Sequence, residues 1–141
     1  MADARIKFGK ADRPEELFSD IAKDNAKRIA DDGKDQRGNQ KNNKSSQLRK
    51  FYDELVMWHD KVFEHGVADR STRYKELAPF IKMLCAKVSY ARGRGHVSAS
   101  FEELFSHVVK SINGPETLKD AKLFIEAFMG FYKAVEKLEE E

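Results

Sequence analysis

Apolar side chains recur at intervals of three to four residues along most of the chain, the spacing that places them on one face of an α-helix. No segment shows the sustained alternation of apolar and polar residues that marks a half-buried strand. The pattern predicts an all-α fold, a compact bundle of about five helices. The predicted helices cover about residues 14–31, 45–65, 71–92, 100–112 and 115–141.

Helix-start and helix-stop residues support these limits. Pro14 suits a first helical position, where its missing N–H has no intrahelical partner. Ser100, followed three residues later by Glu103, forms a capping-box pattern at the start of the fourth helix. Pro79 lies inside the third apolar stripe, so we expect it either to kink that helix or to break it after a short turn.

Residues 33–46, GKDQRGNQKNNKSS, contain no large apolar side chain. Because burial of apolar area must offset the entropy lost on ordering, this stretch predicts a flexible basic loop after the first helix. The remaining length suits one hydrophobic core, so the chain 1–141 is predicted to be a single helical domain.

The formal net charge of +2, from 26 basic and 24 acidic residues, is unevenly distributed. Residues 34–50 contain six basic residues and one acidic residue, a net charge of +5. Residues 80–96 contain four basic residues and no acidic residue, a net charge of +4. Basic patches attract phosphate backbones, so these two blocks indicate a nucleic-acid partner.

The composition argues against several other functional classes. No apolar run approaches the roughly 18 residues of a membrane span, and the N-terminal residues lack an apolar signal core, so a cytoplasmic protein without membrane contact is expected. The single cysteine excludes an internal disulfide, and the four histidines lack metal-ligand spacing. We therefore expect no catalytic residue, no metal and no cofactor.

The basic blocks supply the candidate binding residues. The first set straddles the loop and the start of the second helix, and the second set lies near the end of the third. A strip joining the two sets would grip a backbone without reading bases. The plain alternative is a solvated basic surface. Most aromatic residues fall on core stripes, and Trp58 and Tyr90 stay open as base-stacking candidates. The candidate residues are Lys41, Lys44, Arg49, Lys50, Lys87, Arg92 and Arg94.

Three stretches together carry a family resemblance. They are Ser-Ser-Gln-Leu-Arg-Lys-Phe-Tyr at 45–52, Lys-Val-Ser-Tyr-Ala-Arg-Gly-Arg at 87–94, and the aromatic helix around 124–135. In this order and spacing, the chain resembles the small subunit of type III-A CRISPR effector complexes, the Csm small subunit. The resemblance covers about residues 40–138.

The resemblance implies a small, all-helical, non-enzymatic protein that stacks in several copies along a guide RNA–target RNA duplex. Such subunits touch the RNA backbone without sequence preference. They pack against the repeating backbone subunits and the large subunit of the complex. On this resemblance Arg49 and Lys50 match the basic helix start, while Lys87 and Arg94 match the second motif.

Two other classes remain open from the residues alone. A DNA-binding regulator would need a recognition helix with polar residues facing a groove, and Asp53, Glu54 and Asp60 on the second helix would repel DNA. A helical protein-interaction module could use the aromatic C-terminal helix. An enzyme is the least supported class, because no residue cluster with catalytic spacing is present.

Overall fold

The computed structural model describes residues 2–64 and 66–140. Within these residues the fold consists of six α-helices and one π-helical turn, with no β-sheet, which confirms the all-α prediction. The π-helical turn, Leu17–Ile21, leads directly into the first α-helix. The helices are α1 (Ala22–Asp32), α2 (Ser45–Phe63), α3 (Val67–Lys82), α4 (Leu84–Gly93), α5 (Ala99–Lys110) and α6 (Pro115–Glu140).

The long helix α6 forms the centre of the bundle, with α1 and α2 packed against it. Its aromatic residues meet those of α5, as the Phe101 and Phe128 ring centroids, 6.3 Å apart, illustrate. Such tilted ring pairs add about 0.5–1.5 kcal/mol beyond the burial of their area. The prediction that most aromatic residues belong to the core is confirmed. The largest buried aromatic residues are Phe101, Phe105, Phe124, Phe128 and Tyr132.

The third predicted helix is two helices, so of the two alternatives left open at Pro79 the chain does break. Pro79 lies inside α3, and the break comes one turn later at Met83. The proline ring removes one backbone donor from the last turns of α3, so these turns are more weakly held. The Lys82 amine donates to the Val109 carbonyl 2.8 Å away, which ties the end of α3 to the end of α5.

A correction concerns the start of α5. The capping residue is Ser98, whose hydroxyl accepts a hydrogen bond from the Phe101 amide at 3.2 Å. The predicted cap, Ser100, lies inside the helix and donates its hydroxyl to Asp32. Ser98 is selected because the same hydroxyl also accepts from the buried Asn43 side chain, a contact that sequence spacing does not reveal.

The loop between α1 and α2 lies where it is predicted, but its end is anchored. Asn43 is fully buried and has a positive φ of 56°, a conformation that asparagine tolerates better than most residues. Its side chain donates to the Ile29 carbonyl at 3.0 Å and accepts from the Ser98 amide at 2.8 Å. The expectation that nothing in this loop is buried is therefore wrong for Asn43, because a polar side chain can be buried when its hydrogen bonds are satisfied. The flexibility of the loop stays a prediction.

The N-terminal segment before the helices joins the core. Ile6 and Phe8 are buried, and the Gly9 amide donates to the Asp120 carboxylate of α6 at 2.8 Å. Arg13 reaches the same carboxylate at 3.1 Å. Because two isolated apolar residues show no helical period, the sequence pattern gave no sign of this packing.

Several predicted helix limits shift, among them the start of α3, which is Val67 rather than Ser71. The first helix begins at the π-helical turn rather than at Pro14, because the chain from 9 to 13 forms a tight turn in which the Arg13 amide donates to the Gly9 carbonyl. Helix α2 ends at Phe63, and its predicted limit at His65 lies outside the described residues. Over 2–64 and 66–140, no helix is both long enough and apolar enough to cross a bilayer.

Candidate nucleic-acid interface

The first half of α2 and the last half of α4 form the two walls of a shallow cleft of about 310 Å³, here termed the α2–α4 cleft. Lys50 and Glu54 line it from α2, and Lys87 and Tyr90 line it from α4. Arg94, immediately after α4, also lines the cleft. The cleft therefore joins one residue of the first basic block to two of the second.

Helical spacing explains why these side chains share a surface. Lys87, Tyr90 and Arg94 follow one another at intervals of three and four residues, so they project from one side of α4 and its C-terminal turn. Val88 and Ala91 are buried and hold the adjacent side of α4 against the core, and Ala91 also lines the cleft. Lys87 and Arg94 therefore share a face of α4 that lies beside the start of α2.

Carboxylates from other helices neutralise part of the second basic block. The Lys87 amine is 2.8 Å from the Glu54 carboxylate of α2, and an Arg92 nitrogen is 2.7 Å from the Glu102 carboxylate of α5. The block has no acidic residue along the chain, but the fold supplies two. Because such partly exposed ion pairs contribute only about 0–1 kcal/mol, a phosphate could replace either carboxylate at small cost.

The ionised form of Glu102 is favoured where α4 meets α5. The Ser89 hydroxyl donates to this carboxylate, and Arg92 donates to its other oxygen. These hydrogen bonds, with that of Ser89 the larger, lower the pKa of Glu102 below its usual value. Arg92 is thereby held on the α5 side, outside the α2–α4 cleft.

Lys50 and Arg94 are the least neutralised cations of the cleft. Both are exposed, and neither forms an ion pair with any residue in the described part of the chain. Arg94 instead contacts Tyr90, donating a hydrogen bond to the phenol oxygen at 3.1 Å. The guanidinium carbon lies 5.7 Å from the ring centroid. The cleft thus offers two cations and an ordered aromatic ring.

The remaining candidates of the first basic block lie outside this cleft. Lys41 lines a separate depression in the loop together with Asp35, and Lys44 immediately precedes α2. Arg49 is exposed and pairs with Asp53 one turn further along α2, at 3.8 Å. Of the seven candidates, the fold therefore brings together Lys50, Lys87 and Arg94.

Sequence reasoning missed Glu54 as a member of the site. It is 33 residues from Lys87 in the chain, and no local pattern links the two. His96, which also lines the cleft, was not singled out either. The only signal for both was proximity in the fold. The sequence pattern, in contrast, already indicates Tyr90 as an aromatic residue outside the core stripes.

His59 and Cys85 occupy ordinary structural positions. His59 stacks on Phe63 with ring centroids 4.4 Å apart, and its Nδ1 is 3.0 Å from the Asp60 carboxylate. Cys85 packs against the edge of the core. Across the part of the chain that the structure describes, no group of three or more histidine, cysteine or acidic residues is placed to hold a metal ion.

Comparison with known proteins assigns the chain to a family. A family model described as Csm2 Type III-A matches residues 19–137, which is most of the chain and includes both walls of the α2–α4 cleft. Comparisons with curated proteins and with solved structures found no match. The chain therefore belongs to the Csm2 family, the small subunit of type III-A CRISPR complexes.

Proposed function

We propose that this small subunit is a non-catalytic RNA-binding protein that contacts the backbone of a guide RNA–target RNA duplex without reading its sequence. Several copies would stand side by side along the duplex in a cytoplasmic complex. They would pack against one another and against the backbone and large subunits of the complex. Family membership supports a place in the effector complex, and the surface chemistry supports the contact with RNA.

The observation that carries the proposal is the convergence of Lys50, Lys87 and Arg94 on one cleft. Long basic side chains at such a site suit phosphate oxygens, and contacts of this kind fix position on a nucleic acid without specifying sequence. The other four candidates, Lys41, Lys44, Arg49 and Arg92, are exposed but lie outside the cleft, where they could add further backbone contacts.

Few contacts imply weak binding by one copy. Each phosphate contact to a duplex makes log K fall by roughly 0.9 per unit of log salt concentration, so three contacts predict a slope of about −3. Copies held in a row on one RNA gain by avidity, because each later contact becomes effectively intramolecular. Weak binding by the isolated chain is therefore compatible with firm binding in the complex.

A second candidate function, a protein-interaction module, is favoured by one specific observation. Met57, Phe80 and Met83 expose 38%, 50% and 51% of their surface on α2 and at the end of α3. Phe80 stacks on Trp58 of α2, with ring centroids 6.0 Å apart, so apolar side chains of α2 and α3 adjoin at this surface. Adjoining exposed apolar side chains are typical of surfaces that contact protein. Protein contact and RNA contact are compatible in one subunit, and charge-reversal variants separate them.

The test is a titration of the purified chain with a labelled RNA duplex from low to high salt, alongside the double variant Lys50→Glu/Arg94→Glu. We expect weak binding by the unmodified chain that does not depend on sequence, decreases with salt and is lost in the variant. The matched control is Lys10→Glu/Lys119→Glu, the same charge change in exposed residues beside Phe63, at the other end of α2.

Equal losses in the two double variants would mean that net charge, not the α2–α4 cleft, governs binding, and would contradict the proposal. Tight, sequence-specific binding to a DNA duplex would instead favour the DNA-regulator alternative. If the unmodified chain binds no RNA, and the Lys50→Glu/Arg94→Glu variant still assembles into the complex, the protein-interaction module is favoured.

A further inference from the structure

We infer that Tyr90 is a stacking platform for an unpaired RNA base, so that the α2–α4 cleft holds a single-stranded nucleotide as well as duplex backbone. The inference rests on the proposed RNA binding and specifies its ligand further. It differs from backbone contact in the part of the RNA that it engages, because stacking requires the face of a base.

The exposure of Tyr90 is the first observation. Its surface is 66% exposed, whereas the rings of α5 and the middle of α6 are buried in the core. Its neighbours Val88 and Ala91 already supply the buried side of α4. The Tyr90 ring is therefore not needed for packing, and its large apolar face is open to a ligand.

The ring is also held in place. Arg94 lies one turn further along and donates a hydrogen bond to the phenol oxygen, with its guanidinium carbon 5.7 Å from the ring centroid. A ring that is already ordered loses less conformational entropy when a ligand binds. The planar guanidinium can itself stack beside a base, as arginine does at many RNA sites.

The charges around the ring suit a nucleotide. Lys50 stands on the opposite wall of the cleft, and Lys87 lies one turn before Tyr90 on the same wall. Glu54 neutralises Lys87 in the free protein, leaving Lys50 and Arg94 to attract phosphate. A base on Tyr90 would thus have cations on both walls available for its flanking phosphates.

Whether a base is paired or unpaired determines whether it can stack on Tyr90. Bases inside a duplex are stacked on their neighbours and present no free face, whereas unpaired bases can stack on an aromatic side chain. Every base has such a face, so stacking tolerates any sequence. The inferred ligand is therefore single-stranded RNA, or an unpaired nucleotide within a duplex, of any sequence.

The experiment compares three probes of equal length: oligouridine, an abasic strand with the same backbone, and an RNA duplex. Each is titrated with the unmodified chain and with Tyr90→Ala, Tyr90→Phe and Phe80→Ala. Phe80 is the matched control, an exposed aromatic residue that does not line the cleft. Thermal unfolding of each variant confirms that it is folded.

We expect Tyr90→Ala to weaken binding of oligouridine about tenfold, within the range measured for loss of one base–aromatic stack. Its binding to the abasic strand and to the duplex should fall much less, because neither presents an unpaired base. Tyr90→Phe should retain most of the affinity, because the ring remains, and Phe80→Ala should bind all three probes as the unmodified chain does.

Two results would overturn the inference alone while RNA binding itself stands. One is equal affinity of the unmodified chain for oligouridine and the abasic strand, a comparison that needs no variant. The other is unchanged binding of oligouridine by Tyr90→Ala while Lys50→Glu/Arg94→Glu loses it. If the unmodified chain binds none of the three probes, the proposed function fails and the inference with it.

Discussion

Glu54 precedes Lys87 by 33 residues, yet its carboxylate lies 2.8 Å from the amine of that lysine. At the scale of single residues, contacts of this kind set the charge that the α2–α4 cleft presents. Lys87 is paired, whereas Lys50 and Arg94 in the same cleft form no ion pair with a described residue. The three cations are therefore unequal, although the sequence presents them as equivalent.

Replacing Glu54 with glutamine should strengthen RNA binding by roughly two- to fivefold at low salt. The change frees Lys87 and removes a negative charge from the cleft, and an exposed pair of this kind contributes up to about 1 kcal/mol. The gain should disappear at high salt, because ions screen exposed charges. The measurement is the dissociation constant for the labelled duplex at both salt concentrations.

Glu76→Gln is the control for this prediction, since Glu76 is likewise paired with a basic residue, Arg73, at 3.3 Å but lies away from the cleft. It should change the affinity little. If both variants gain equally, overall charge explains the effect. If Glu54→Gln gains nothing, Lys87 does not contribute to RNA binding.

At the scale of elements, one carboxylate makes the contact between α4 and α5 sensitive to pH. Glu102 accepts hydrogen bonds from Ser89 and Arg92, and these bonds lower its pKa below the ordinary value near 4.5. The stabilisation is fully present at pH values above the unfolded-state pKa. It is lost as the pH falls through the lower, folded-state pKa, because protonation weakens both bonds.

We expect the unmodified chain to be more stable than Glu102→Gln by about 1 kcal/mol at neutral pH, because solvent around the exposed Arg92 reduces the contribution of these hydrogen bonds. The difference should shrink as the pH falls below 4.5 and through the folded-state pKa. Denaturant unfolding of both proteins across this pH range gives the measurement. Glu15→Gln, at an exposed carboxylate, is the comparison variant. A stability difference that does not vary with pH would contradict the assignment.

At the scale of the whole molecule, the fold depends on a segment that the family match does not include. The match begins at residue 19, yet Ile6 and Phe8 are part of the core and Asp120 of α6 binds the Gly9 amide. The Phe8 ring centroid is 6.2 Å from that of Phe124 in α6. The N-terminal segment thus covers one side of the central helix.

Phe8→Ala should lower the free energy of unfolding by about 3–4 kcal/mol, the usual cost of removing a buried ring. The α2–α4 cleft is formed by other elements, so RNA affinity of the folded protein should remain unchanged. Thermal or denaturant unfolding measures the first effect and RNA titration the second. The exposed neighbour Lys7 provides the control, and equal stability of Lys7→Ala and Phe8→Ala would show that the segment is not part of the core.

Helical periodicity was sufficient to determine the fold class and the aromatic core, because a repeat of three to four residues is a local property of the chain. The lack of large apolar residues located the loop before α2, and the distribution of charge located the two basic blocks. Local spacing placed the cap of α5 two residues late, and it left open whether the third helix breaks, without locating the break at Met83. Both features involve contacts between residues that are distant in the chain. Ser98 accepts a hydrogen bond from Asn43, and Lys82 donates one to the end of α5.

The sequence by itself therefore determined which segments are helical, which faces are apolar and where positive charge is concentrated. Only the tertiary structure decided that Lys50, Lys87 and Arg94 share one cleft while Arg92 faces α5. It also decided that Glu54 neutralises Lys87 and that Tyr90 is left open. The physical reason is how far apart along the chain the interacting residues lie. Helix formation follows from neighbours along the chain, whereas the charge and shape of a surface follow from residues that meet only when the helices pack.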